Sequence, residues 1–243
     1  MSNLFIFSND LRLDDNAALY QSSLSKKGLT TAFIFNPKKW EDHNDSPLKI
    51  KFQLNHLKEI RDELIKKNIN FKIIYANGIE DEPEKILELT KKLGTTSVFI
   101  NKDYGFNERK KDDSLKLLLD KKNIKFNLFD SSILNPELIK TGSGNYFKVF
   151  TPYSKVFRSL LTSKDLDIVP EPLLQDSNVS ENDLIPEYEL EDNYFLKSIE
   201  DYKVGADKVN KIFETFLHEK VEDYKNLRDF PYLDSTSKLS PYL

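Results

Sequence analysis

The residues best placed for chemistry follow the first apolar run of the chain. Ser8-Asn9-Asp10-Leu11-Arg12-Leu13-Asp14-Asp15-Asn16 sets carboxylates, amides and a guanidinium directly after Leu4-Phe5-Ile6-Phe7, four apolar residues with no polar alternation. Such a run reads as a strand covered on both faces. Open α/β sheets bind ligands beyond the carboxyl ends of their strands, so residues 8–16 stand at a ligand edge. Taken alone, residues 9–12 fit an ordinary capped loop better than a binding site. Other chemistries are excluded. The sequence has no cysteine, which removes disulfides, thiolate metal sites and a thiol nucleophile. Its three histidines, His43, His56 and His218, are too scattered for a metal cluster. Thr141-Gly-Ser-Gly has no Lys-Ser/Thr after it and is a turn rather than a phosphate loop.

The elements that hold this edge are readable from periodicity. Asp15 or Asn16 caps a helix running to Ser23, and residues 31–35 form a second apolar strand. Pro47 opens a long helix whose stripe is Ile50, Leu54, Leu57, Ile60 and Leu64. Residues 71–75 are the third strand. Pro83 suits a first helical turn, Ile86, Leu89 and Leu93 supply the stripe, and Gly94 ends it. A fourth strand at 98–100, a helix over 107–122 and a fifth strand at 126–129 complete the series. Strands alternating with helices predict an α/β fold, a doubly wound five-stranded parallel sheet of Rossmann type.

After Asp130 the rhythm stops. Tyr146 to Leu161 is aromatic and basic and ends in a helix. Residues 165–192 contain no Lys or Arg, and Pro170, Pro172 and Pro186 interrupt any helix, which is a linker signature. Val209, Ile212, Phe213, Phe216, Leu217 and Val221 then mark a strongly amphipathic helix. The expected organisation is an α/β domain over 1–135, a connector and linker over 136–200, and the start of a helical domain over 201–243. A chain of 243 residues with 39% hydrophobic residues can bury a sizeable core, and a net charge of -4 gives no overall field for nucleic acid. The Lys-Lys pairs at 66–67, 91–92, 110–111 and 121–122 are explained by solvation. No secretion signal and no apolar stretch of about 20 residues is present, so a soluble cytoplasmic protein without a membrane partner is expected.

Four stretches in order carry a family resemblance: residues 7–16, Asn101-Lys-Asp-Tyr-Gly-Phe-Asn-Glu-Arg109, Tyr146-Phe-Lys-Val-Phe-Thr-Pro152, and Arg228-Asp-Phe-Pro231 followed by Thr236-Ser-Lys-Leu-Ser240. Together they resemble DNA photolyases and cryptochromes, most nearly bacterial photolyases of the folate-antenna type. The resemblance runs from Asn3 to Leu243 and is weakest over the linker. It implies an N-terminal α/β antenna domain, a C-terminal helical domain holding FAD and damaged DNA, and light-driven splitting of cyclobutane pyrimidine dimers by reduced FAD.

Carried over by motif, the resemblance implies a methenyltetrahydrofolate antenna touching His43, Asn107 and Glu108. A carboxylate beside an amide matches the donors and acceptors of a pterin edge. Read without the family, Asn107-Glu108 is an N-cap with an acid in the first turn. The resemblance also implies a partial FAD site at Tyr224, Thr236, Ser237, Lys238, Leu239 and Ser240. There Ser240-Pro241 suits a helix start that favours a phosphate, whereas unaided the stretch is a polar terminus. The sole tryptophan, Trp40, lies in the antenna segment, so the family's tryptophan relay has no counterpart here. No catalytic residue and no metal ligand is assigned. The expectation is a truncated photolyase, a monomer that neither holds FAD tightly nor repairs DNA by itself. The alternative is a stand-alone antenna or scaffold protein whose helical domain comes from a second chain. A nucleotide-binding protein of the wider doubly wound class is disfavoured, because no glycine-rich turn follows the first strand.

Overall fold

The apolar run at Leu4 lies in the middle of a five-stranded parallel sheet. Its strands are β1 (Asn3–Phe7), β2 (Leu29–Phe35), β3 (Asn70–Tyr75), β4 (Ser97–Asn101) and β5 (Lys125–Phe129), in the order β3-β2-β1-β4-β5. The computed structural model describes residues 2–176, 182–188 and 202–242. Phe5 of β1 aligns with Thr31 of β2 and Phe99 of β4. Leu4, Phe5, Ile6 and Phe7 are at most 3% exposed, as continuous apolarity demands of a central strand. Leu4 and Ile6 join Ala32, Ile74, Ile86, Val98, Ile100, Leu115 and Leu119 in one apolar cluster.

The helices are α1 (Ala17–Ser23), α2 (Pro37–Asp42), α3 (Pro47–Lys66), α4 (Glu82–Leu93), α5 (Phe106–Asp120) and, after the sheet, α6 (Phe150–Leu160). Asn16 caps α1 by accepting from the Leu19 N–H at 3.1 Å. Gly94 closes α4 in the left-handed region at φ 63°, where a side chain would be strained. The α3 stripe Ile50, Leu54, Leu57, Ile60 and Leu64 is buried, matching its spacing. From β1 the chain steps outward to β2 and β3, then returns to the other side for β4 and β5. The winding direction therefore reverses between β1 and β4, which is where such sheets open a crevice.

The chain divides into two compact units, one of residues 1–43 and 63–184 and the other of residues 44–62 and 185–243. Within the first, the described residues of the acidic, proline-containing stretch form no helix beyond a 3₁₀ turn at Ser163–Leu166, yet several are tied down. The Asp15 N–H donates to the Val169 carbonyl at 2.8 Å, and the Gln175 N–H to that of Lys67 at 2.9 Å. Asn182 Oδ1 accepts from the Phe71 N–H at 2.6 Å, and Asp183 Oδ2 from the Ile73 N–H at 2.8 Å. The Asp183 N–H returns to the Phe71 carbonyl at 3.0 Å. Two side chains thus do what a sixth strand would do for the outer edge of β3, an edge that would otherwise present unpaired backbone groups.

Within the second unit, Glu187 pairs with Lys51 at 3.2 Å and Lys58 at 2.8 Å. The Phe52 ring meets Tyr202 and Tyr242 at centroid distances of 6.0 and 5.3 Å. The amphipathic pattern after Val204 forms a helix at Ala206–Glu219, followed by a short one at Tyr224–Leu227. None of the long helix's residues is buried, and Phe213 and Leu217 are 46% and 43% exposed.

Candidate ligand-binding edge

The polar stretch after β1 is a lock as much as a binding surface. Asp10, Asn16 and Asn101 are all buried. The Asp10 carboxylate accepts from the Ser8 N–H at 2.7 Å and from Asn101 Nδ2 at 2.5 Å. Asn101 Nδ2 also donates to Asn16 Oδ1 at 2.7 Å, and Asn101 Oδ1 accepts from the Ala18 N–H at 3.1 Å. Asn16 Nδ2 donates to the carbonyls of Asp10 and Arg12 at 3.2 and 3.1 Å. Burial pushes the Asp10 carboxyl above its ordinary range, although the donors from Asn101 and Ser8 pull it back. The three side chains consume one another's capacity, binding the end of β1, the start of α1 and the end of β4 into one piece. Beside them the Ser8 hydroxyl donates to the Asp103 carboxylate.

The groups left to face a ligand come from α2 and α5, which follow β2 and β4 and so stand on either side of β1. α2 is fixed from below. Asn36 Oδ1 accepts from the N–H groups of Lys39 at 3.1 Å and Gly78 at 2.9 Å, and its Nδ2 donates to the buried Glu82 at 2.9 Å. Trp40 packs edge-on against Phe35 at 5.0 Å. From this support Lys39 Nζ reaches Oε1 of Glu108 at 3.3 Å. Burial alone would raise the Glu108 carboxyl, yet its own backbone N–H, Lys39 and His43 together hold it below the ordinary range. Gly105 makes this placement sterically possible, because a Cβ there would lie 2.1 Å from Glu108 Oε2. Further along α5, Lys111 is an internal cation 3.2 Å from the buried Asp112. Burial works against the Lys111 charge, but Asp112 and Glu82 overcome it and raise its pKa. Burial pushes the Asp112 carboxyl above its ordinary range, and Lys111 only partly pulls it back.

The structure therefore brings His43, at the carboxyl end of α2, into the electrostatic reach of Glu108. Asn107 is exposed in the first turn of α5. The reading of Asn107-Glu108 as an N-cap is corrected. The cap is Gly105 and the helix starts at Phe106, one residue before the sequence reading, because an extended Gly105 costs the backbone nothing and leaves room for Glu108. Sequence reasoning missed Lys39. Charged residues on a short helix carry no periodic signal, and only the sheet order sets α2 opposite α5.

In the other unit, the Tyr224 ring meets Phe216 at 5.7 Å and lies under the Arg228 guanidinium at 5.7 Å. Of the residues after it, Ser235 is buried and donates to the Leu227 carbonyl at 3.1 Å, whereas Thr236, Ser237 and Leu239 are half-buried and Lys238 and Ser240 exposed. Lys238 turns the chain at φ 53°. Its ammonium lies 2.9 Å from Asp234, which also takes Lys220 at 2.8 Å. These two lysines hold the Asp234 carboxyl below its ordinary range. Ser240-Pro241 stands at the start of a 3₁₀ turn, Ser240–Tyr242, the last of the described residues. Thr236, Ser237 and Ser240 place three hydroxyls along this turn.

Among the described residues, no group of three His, Cys, Asp or Glu is arranged for a metal ion, and no helix is long and apolar enough to cross a membrane.

An open, all-parallel five-stranded sheet with helices between its strands defines an α/β protein of the doubly wound class. The profile of DNA photolyase matches residues 3–173, and the chain belongs to that family. It is 28% identical over 238 residues to the deoxyribodipyrimidine photo-lyase of Vibrio cholerae, covering 98% of this chain and 51% of that protein. To the enzyme of the same name from Buchnera aphidicola subsp. Acyrthosiphon pisum it is 30% identical over 244 residues, covering 99% and 50%. The chain thus spans about half the length of the curated relatives it matches. Two solved structures share its fold. A class III photolyase from Agrobacterium tumefaciens superposes with a TM-score of 0.79 at 20% identity, over 99% of this chain and 49% of that one. A Synechocystis cryptochrome gives 0.70 at 18% identity, over 99% and 52%.

Proposed function

We propose that this chain serves light-driven repair of cyclobutane pyrimidine dimers in DNA, and that its sheet unit is the light-gathering part. In that reading a folate antenna absorbs light and reduced FAD supplies the electron that splits the dimer. The residues of this chain position those groups. Glu108 and Asn107 take the pterin edge, His43 lies beside it, and Tyr224 with Thr236, Ser237, Lys238, Leu239 and Ser240 contributes to the FAD site. The observation that supports the antenna role is the charged Glu108 held between Lys39 and Gly105. A charged carboxylate only accepts hydrogen bonds, which suits the adjacent N–H and amino donors of a pterin. The loop at 234–240 fits a phosphate and leaves a flavin ring exposed. The described residues are therefore expected neither to retain FAD in stoichiometric amount nor to repair DNA alone.

The test is titration of the purified chain with methenyltetrahydrofolate, following the absorbance of the bound pigment. Glu108→Gln keeps the shape and replaces one acceptor by a donor, so it is expected to weaken binding about tenfold or more, the effect of losing a charged hydrogen bond. Equal affinity in wild type and Glu108→Gln refutes the assignment. A second reading draws on the exposed Phe213 and Leu217 face, since large apolar surface marks a missing cover. There the helical domain is supplied by another chain, and size-exclusion with a candidate second polypeptide separates the two.

A further inference from the structure

We propose that Lys39 is a positioning residue for the edge site. Its ammonium, 3.3 Å from Glu108 Oε1, and the space Gly105 leaves beside Oε2 together fix that carboxylate as a charged acceptor at the carboxyl edge of the sheet. The inference rests on the reading of Glu108 as a ligand contact. Its geometry comes from topology. α2 leaves β2, α5 leaves β4, and β1 lies between those strands, so the pair spans the point where the winding reverses. Its precision comes from α2, whose first turn is pinned through Asn36 to Glu82 and Gly78. A lysine on so short a helix would otherwise sweep a wide arc.

The chemistry depends on which proton state can serve the ligand. A charged carboxylate accepts from two adjacent donors at once, whereas a protonated one offers a donor where the ligand also offers a donor. Glu108 is partly buried, and burial by itself drives it toward the protonated form. Lys39 opposes that drive, with the backbone N–H of Glu108 and His43 acting in the same sense. The other charged groups on these elements are Lys38, Glu41 and Asp42 on α2, Asp103 before α5, and Arg109, Lys110, Lys111, Asp112, Asp113, Lys116 and Asp120 on α5. Removing the Lys39 charge therefore raises the pH at which Glu108 takes up a proton. Binding by the carboxylate is present above that pH and fades as pH falls through it.

The experiment has two readouts on the full chain. Carbon-13 NMR of the Glu108 carboxyl, without ligand, gives its titration midpoint in wild type, Lys39→Met and Lys39→Arg, each repeated in a His43→Gln background. Methenyltetrahydrofolate affinity is then measured across the same pH range. Lys39→Met is expected to move the midpoint up and Lys39→Arg to restore it. Affinity should fall by about tenfold per pH unit below each midpoint. Gly105→Ala, whose backbone angle of φ -61° suits alanine, is expected to weaken binding with unfolding unchanged, because only the flexible end of Glu108 must move. If Lys39→Met leaves the NMR midpoint in place, the inference fails even where folate binds. If the midpoint moves but wild type binds no folate at any pH, the folate reading fails and the role of Lys39 toward Glu108 stands.

Discussion

Asp10 and Asp234 are the same side chain in two opposite settings. Asp10 is buried at the carboxyl edge of the sheet, met by donors from β4 and from the backbone of its own turn, and its pKa is raised by burial. Asp234 is 61% exposed on a loop, held by Lys220 and Lys238, and its pKa is lowered. In the first case three elements are fixed to one another by groups that have no water to fall back on. In the second, two flexible ammonium groups exchange water for a carboxylate at little net gain. The contrast identifies which candidate site is prepared in advance. The sheet edge holds its functional groups on a rigid support, and the 234–240 loop holds its own by surface pairs.

Breaking the buried lock should give the largest effect. Asn101→Leu removes a donor from Asp10 and Asn16 and an acceptor from the Ala18 N–H, leaving buried groups unpaired. It is expected to cost about 3 kcal/mol, read as a fall in the urea midpoint at unchanged slope, since each orphaned buried group costs about 1–3 kcal/mol. A loss below about 0.5 kcal/mol, the scale of an ordinary surface substitution, would mean the network is not what joins the strands. Next in size is the double variant Asn182→Ala, Asp183→Ala, which removes the acceptors that cover the outer edge of β3. The expected cost is about 1–2 kcal/mol, from two hydrogen bonds of about 1 kcal/mol each. The specific signature is faster hydrogen exchange at the amides of Phe71 and Ile73, while Phe5 in β1 keeps its protection. Unchanged exchange at both edge amides would show that the strap is incidental.

These two regions also differ in how far the sequence foretells them. The sheet is readable because burial imposes period: continuous apolarity in β1, three-and-four spacing in α3 and α4, and Gly94 at the helix end. Apolar patterning places the strand starts late, missing Leu29, Asn70 and Lys125, because the polar Thr30, Asn70 and Lys125 break the apolar run while backbone pairing continues through them. The strap at Asn182 and Asp183 reads as linker in the sequence, since side chains bonding to another strand's backbone leave no periodic trace. The Lys39–Glu108 pair is hidden for a related reason. Glu108 stands in a motif, whereas its partner is an ordinary lysine until the strand order places the two helices across β1. At the 234–240 loop the hydroxyls are visible, whereas the joint hold of Lys220 and Lys238 on Asp234 leaves no periodic trace.

Acidification sharpens the contrast, since the two carboxylates respond with opposite sign. Asp10 has a folded pKa above its unfolded value, so its contribution is greatest below the unfolded value and declines as pH rises through the folded one. Asp234 has a folded pKa below its unfolded value, so its contribution is present above the unfolded value and is lost as pH falls through the folded one. Lowering pH from neutrality toward about 3, below the usual carboxylate range, should loosen the 234–240 loop while the edge network holds. Hydrogen exchange at Ser235 and Ser237 should then accelerate before that at Ala18 and Leu19. Simultaneous loosening, or the reverse order, would break the comparison.

The smallest effect is expected from Asp234→Ala, which frees Lys220 and Lys238 together. Exposed ion pairs are each worth about 0.2–1 kcal/mol, and a shared carboxylate sets both at the low end, so a loss of about 0.5 kcal/mol or less is expected. The useful readout is salt rather than stability alone. At high ionic strength wild type and variant should converge, because screening removes what the mutation removes. The same salt series on Asn101→Leu should leave its deficit intact, since buried hydrogen bonds are screened far less than exposed charges. If the Asp234→Ala deficit proved large and insensitive to salt, the loop would be a preorganised site like the sheet edge. The FAD contacts assigned to Thr236, Ser237 and Ser240 would then need no further structure to hold them in place.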